Sequence, residues 1–195
     1  MRLIYTGFIF AISLFLSGCI HTVDAITLKH KPLNSITKIE NAQTKKITVK
    51  VVDERSDKTK VGTKIDGGGY PAAAIVSTED VAFFMKKGIE AELVQRGFLL
   101  GDSSSTVIDV KIQQFMSSFD LGFLRLDSKA TVKMEILITN GSGKTYRTHI
   151  EAEGGEKFIQ VVGGNNAQIA LEMAVDNALQ MMFADEHLIE TLNKN

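Results

Sequence analysis

Alternation of apolar and polar positions starts at Lys46, where Ile47, Val49 and Val51 interleave with Lys46, Thr48 and Lys50. That period of two predicts a half-buried strand. A charged turn, Asp53 to Lys60, and a long loop through Gly67-Gly68-Gly69-Tyr70-Pro71 follow. The period then changes: Val81, Met85, Ile89 and Leu93 recur every four residues, flanked by Phe84 and Gly88. This spacing predicts an amphipathic helix, capped by Ser77 or Thr78, with Glu79 and Asp80 in its first turn and Gly97 as its stop. Alternation returns at Ile108, Val110 and Ile112, and again at Ala130, Val132, Met134, Ile136 and Ile138. Asn140-Gly141-Ser142-Gly143 turns the chain into a third strand, Lys144 to Ala152, with Tyr146, Thr148 and Ile150 on one face. A last helix opens near Asn165 or Asn166, striped by Ala167, Leu171, Ala174, Val175, Ala178 and Met182, and Asp185 onward reads as a short terminal extension. The order β-α-β-β-β-α predicts an α+β domain: a mostly antiparallel sheet of about four strands with two helices packed on one face.

The segment before that domain has a different grammar. Met1-Arg2 precedes an apolar run, Leu3 to Leu16, that is short for a membrane-spanning helix and suited to a secretory signal. It closes on Leu16-Ser17-Gly18-Cys19, the form of a lipobox. Small Ser17 and Gly18 fit a peptidase pocket, while the Cys19 thiol is the acceptor for a diacylglyceryl group. Cleavage between Gly18 and Cys19 frees an amine for a further acyl chain, and two or three such chains hold a protein at a membrane almost permanently. Residues 1–18 are thus expected to be a lipoprotein signal peptide, and 19–44 a lipidated N-terminus and tether. The tether holds Pro32 and a candidate edge strand at Ala25 to Lys29, and its 25 or so residues span about 25–30 Å as a coil. Residues 45–195 form the single periplasmic domain. Residue 20 is Ile; in lipoproteins of enteric-type bacteria an Asp there retains the protein at the inner membrane, so the sorting pattern implies the outer membrane, periplasmic face.

Composition narrows the function classes. In 195 residues, 22 Lys+Arg against 23 Asp+Glu leave a formal charge of −1, without the basic excess of a nucleic-acid binder. One cysteine excludes an internal disulfide and a Cys-rich zinc module. The four histidines, His21, His30, His149 and His187, lack metal-gathering spacing, so no metal and no cofactor beyond the acyl chains on Cys19 is expected. Gly141-Ser142-Gly143-Lys144-Thr145 resembles the end of a phosphate loop, but Ile138 stands where the first Gly belongs and a strand follows, so nucleotide binding is not expected. Phe98-Leu99-Leu100-Gly101-Asp102-Ser103 resembles the first block of GDS-type serine hydrolases. The C-terminal Asp185-Glu186-His187 is one residue short of their Asp-x-x-His pair. A lipid-anchored hydrolase using Ser103 with His149 or His187 is the alternative; a non-enzymatic binding or accessory protein of the cell envelope is the leading reading.

The chain resembles the YajG-type lipoproteins of Gram-negative bacteria, a poorly characterised family. The resemblance runs from the lipobox through Val51-Val52-Asp53-Glu54-Arg55-Ser56-Asp57 and Leu93-Val94-Gln95-Arg96-Gly97-Phe98 to the Asn140-Gly141 hairpin and the last helix. It supplies no catalytic set and transfers only Cys19 as a modified site. Asp53 and Arg55 match an acidic-x-Arg pattern expected to lock the turn after the first strand, and the Gly67–Gly69 triplet departs from the family. The membrane, through the anchor, and an unidentified envelope protein or glycan are the expected partners. Phe119, Leu121, Phe123 and Leu124 form an apolar run between two strands. It is either an exposed partner contact or a segment folded into the core.

Overall fold

The alternating segments do become strands, but they are joined by others that the pattern hides. The structure, a computed structural model, describes residues 21–33, 36–123 and 125–194. Eight strands form one mixed sheet: β1 (Asp24–Ile26), β2 (Lys46–Asp53), β3 (Lys60–Ile65), β4 (Pro71–Ser77), β5 (Leu99–Leu100), β6 (Thr106–Gly122), β7 (Arg125–Thr139) and β8 (Thr145–Glu156). Three α-helices accompany them: α1 (Val81–Gln95), α2 (Gly164–Ala184) and α3 (Glu186–Asn193). The expected four-stranded antiparallel sheet with two helices is therefore incorrect. Parallel pairing joins β1 to β4, β2 to β5, and both β2 and β3 to β6. Antiparallel pairing joins β3 to β4, β6 to β7 and β7 to β8.

β6 organises the molecule. One edge pairs with β7 along nearly its whole length; the other is shared, β2 lying beside Thr106 to Ile112 and β3 meeting Ser117. A register shift between Ile112 and Gln114 inserts one residue. The buried set accordingly passes from Ile108, Val110 and Ile112 to Phe115, Ser117 and Phe119. Because β2 and β6 are parallel, a crossover must carry the chain back, and α1 lies in it. Asp80 caps α1 by accepting from the Phe83 amide at 2.8 Å, a role expected of Ser77 or Thr78. Gly97, at φ +99°, ends the helix turn as expected.

β3 and β4 flank a tip built on Asp66, whose Oδ1 accepts from the Gly68 and Tyr70 amides, each at 2.9 Å. The glycine triplet is this hairpin's turn, and Gly69 at φ +82° needs the freedom glycine has. α2 packs on β8, β7 and β6, with every residue of its predicted stripe buried. The C-terminal extension is α3, capped by Asp185 and burying Leu188, Thr191 and Leu192. Part of the stretch read as tether also packs on the domain. Asp24–Ile26 is an edge strand, and Leu28 and Ala42 are core residues.

Candidate functional site

Gly18 and Cys19, the expected cleavage and acylation positions, lie outside the described residues, as does Leu124. The first described residues after Cys19, 21–23, do have a defined place. β1 runs parallel to β4 with Asp24 opposite Ile75, so residues before Asp24 lead toward the β3–β4 tip. His21 sits within electrostatic reach of Asp66 there. The Asp66 carboxyl is held below its ordinary value chiefly by the Tyr70 and Gly68 amides, with His21 a smaller contribution. Asp24 pins the strand: its carboxylate accepts from Lys64 Nζ at 2.9 Å and from the Gly164 amide, the first of α2, at 2.7 Å. A carboxylate at a helix N-terminus is favoured by the unpaired amides it meets.

The β6–β7 hairpin reaches the same end. Phe119 is core, Leu121 is half exposed, and Phe123, in the turn, is 96% exposed. The expected apolar run is thus split by its strand geometry. Leu121 lies against the other tip, its Cδ2 3.9 Å from where a Cβ on Gly69 would stand. The loop after β8 closes in beside them: the Phe158 amide donates to Asp127 Oδ1 at 3.0 Å and the Ile159 amide to the Leu126 carbonyl at 2.8 Å. Phe158, at φ +59°, and Val161 point their side chains outward.

Downstream of β1, residues 28–33 form a strap across both long helices. The Lys29 amide donates to Glu172 Oε1 at 2.9 Å and the Leu33 amide to Glu92 Oε1 at 2.9 Å. Between them His30 places Nε2 3.2 Å from Glu92 Oε1 and Nδ1 3.4 Å from Asp176 Oδ1. Glu92 is wholly buried; its Oε2 accepts from Arg96 at 2.5 Å, and that guanidinium stacks 4.0 Å from the Phe183 ring. Burial holds the Asp176 carboxyl above the ordinary carboxylate value, an effect His30 partly offsets. Reading the sequence for function missed this network. Its signal was Glu92 standing inside the apolar stripe beside Ile89 and Leu93, with Arg96 one turn on.

The other candidates occupy separate places. Ser103 is exposed, and among the described residues no hydrogen bond joins it to a histidine. His149 faces Glu135 at 3.4 Å, and His187 lies beside Tyr146 and Glu190. Asp53 and Arg55 form a buried pair: Arg55 Nε and Nη2 grip the carboxylate while Nη1 donates to the Lys60 and Phe115 carbonyls, both at 2.9 Å. That pair ties the β2 exit to β3 and β6. Asn140 Oδ1 accepts from the Ser142 and Lys144 amides, so the glycine-rich stretch near the P-loop look-alike is a hairpin turn. Among the described residues no cluster of His, Cys, Asp and Glu has metal-binding geometry, and no helix is long and apolar enough to cross a membrane.

The mixed sheet with its accompanying helices has a counterpart among solved structures. It is similar to a Xanthomonas campestris protein of the DUF330 family, with TM-score 0.57 at 10% identity, covering 86% of this chain and 95% of that one. A minor lipoprotein from Acinetobacter baumannii aligns at TM-score 0.43 and 10% identity, over 72% of this chain and 88% of that one. No curated protein matches the sequence. Residues 33–193 match the profile of the family described as Uncharacterized lipoprotein, and the chain belongs to that family.

Proposed function

We propose that this lipoprotein is anchored by acyl chains on Cys19 to the periplasmic face of the outer membrane, where it serves as a non-enzymatic accessory or binding protein of the cell envelope. The observation carrying the reading is the match to a lipoprotein family together with a lipobox whose cysteine is the chain's only one. The strap is in keeping with it: residues 28–33, bonded to Glu172 and Glu92, hold the described start of the chain against the two long helices. Ile20 supports the outer rather than the inner membrane, by the sorting pattern set out above. The serine-hydrolase alternative would need Ser103 beside a histidine, and among the described residues no hydrogen bond joins them.

The test is processing and fractionation in a Gram-negative cell. Cys19→Ala is expected to accumulate as a larger, unlipidated precursor, and Ile20→Asp to move the mature protein to the inner-membrane fraction. Normal processing and unchanged detergent partitioning of Cys19→Ala would remove the basis of the proposal.

A further inference from the structure

We propose that the end of the domain carrying Tyr70, Phe123, Phe158 and Val161 docks on the lipid bilayer that holds the acyl chains. This rests on the anchored reading and adds to it a contact made by the folded domain itself.

Among the described residues the five most exposed large apolar side chains are Phe123 at 96%, Tyr70 at 71%, Phe158 at 70%, Val161 at 67% and Val23 at 61%. All five belong to the four segments that meet at this end. The β3–β4 and β6–β7 tips stand side by side, Leu121 Cδ2 lying 3.9 Å from where a Cβ on Gly69 would be, and the Phe158 loop is hydrogen-bonded to Asp127 and Leu126. Val23 precedes Asp24, whose carboxylate holds the start of α2. Isolated apolar side chains on a surface need no account; a cluster of this exposure marks an interaction site.

The occupant follows from where the chain leads. Cys19 is only two residues before His21 in the sequence, so an anchor on it can reach no farther from His21 than that short length of chain allows. Because β1 runs parallel to β4, residues 21–23 lead toward the β3–β4 tip, where His21 is within electrostatic reach of Asp66. An acylated Cys19 therefore brings the bilayer to these side chains, whatever else the protein meets. Tyr70, a ring with one polar end, suits the boundary between headgroups and acyl chains, and Phe123, Phe158 and Val161 suit its apolar side. The neighbouring charges suit it too. Arg125 pairs with Asp127 at 3.0 Å and Lys129 with Asp120 at 2.9 Å, which leaves Lys157, exposed beside Phe158, as a single cation among the described residues of this flank rather than a basic cluster of the kind that binds anionic lipid by charge. Docking is by apolar insertion and changes little with salt.

The chain contains no Trp, so one introduced indole reports alone. Full-length, processed protein carrying Phe123→Trp is reconstituted into vesicles of phosphatidylethanolamine and phosphatidylglycerol, with and without brominated acyl chains. Val94→Trp, exposed in the last turn of α1 away from this end, is the control. The Phe123→Trp indole is expected to emit at shorter wavelength and to be quenched severalfold more by bromolipid than the control, at low and high salt alike. Equal, water-like emission of both indoles in protein that floats with the vesicles overturns the docking inference while leaving the anchor intact. In native envelopes, an indole shielded from aqueous quencher but untouched by bromolipid assigns this end to a protein partner, which also overturns it. A purified chain lacking acyl mass and failing to float overturns the anchored reading, and this inference with it.

Discussion

Phe119 and Phe123 stand four residues apart on one hairpin, one in the core and one 96% exposed. The same substitution should separate them. Phe123→Asp is expected to change stability by less than about 0.5 kcal/mol, as surface changes usually do. Phe119→Asp buries an unpaired carboxylate and should cost several kcal/mol; thermal melts of the two variants check the contrast. Glu92 is the opposite case, a buried charge that is fully used. Glu92→Ala strands Arg96 and removes the acceptor for His30 and the Leu33 amide, which should cost about 3–5 kcal/mol. A urea midpoint unchanged from wild type would show that the network contributes nothing. For Asp176 the folded-state carboxyl is raised, chiefly by burial, so its ionised form opposes folding above that raised value. Asp176→Asn is therefore expected to equal or exceed wild type at pH 7, by less than about 1 kcal/mol because the side chain is partly solvated. That advantage should vanish below pH 3.8, where the acid is protonated in both states. A variant that loses stability at pH 7 and closes the gap to wild type in acid would mean that the attraction to His30 outweighs burial.

The contact between β8 and α2 depends on Gly154, where an added Cβ would come within 2.3 Å of the Ala174 backbone nitrogen and 2.5 Å of the Ala170 carbonyl. Helix backbone cannot rotate aside as a side chain can. Gly154→Ala should force the elements apart and cost about 1–3 kcal/mol or more. A melting temperature equal to wild type would place that helix farther from the strand. β2, the first half of β6, β7, β8, α1 and α2 were legible because their apolar residues keep a single period through each element. β3 and β4 were not: Lys60–Ile65 offers only Val61 and Ile65 as large apolar residues and buries Lys64 against Asp24. Pro71–Ser77 opens on Pro and then three Ala, residues that carry little strand propensity. The bulge near Gln113 broke the alternation of β6, so the strand was read only as far as Ile112 although Phe115 to Phe119 continue it. α3 was hidden by its length of 8 residues.

At the scale of the molecule the N-terminal segment is the part whose placement most alters the picture. As a free coil the stretch before Lys46 would let the domain stand off a membrane. With β1 paired to β4 and the strap bound to α1 and α2, the domain instead begins a few residues after Cys19. The lipobox and the apolar hairpin run were visible in the sequence. That the chain just after the lipobox, from His21 to Asp24, lies at the same end as that hairpin tip was not, because it depends on parallel pairing between segments some 50 residues apart. The account stands on Cys19 as the anchored N-terminus. Intact-mass measurement of the protein extracted from Gram-negative membranes, followed by sequencing of its N-terminal peptide, tests this most directly. The account predicts a chain that starts at Cys19 and carries diacylglyceryl mass on that residue. A mature chain that starts elsewhere, or a Cys19 without acyl mass, would contradict it.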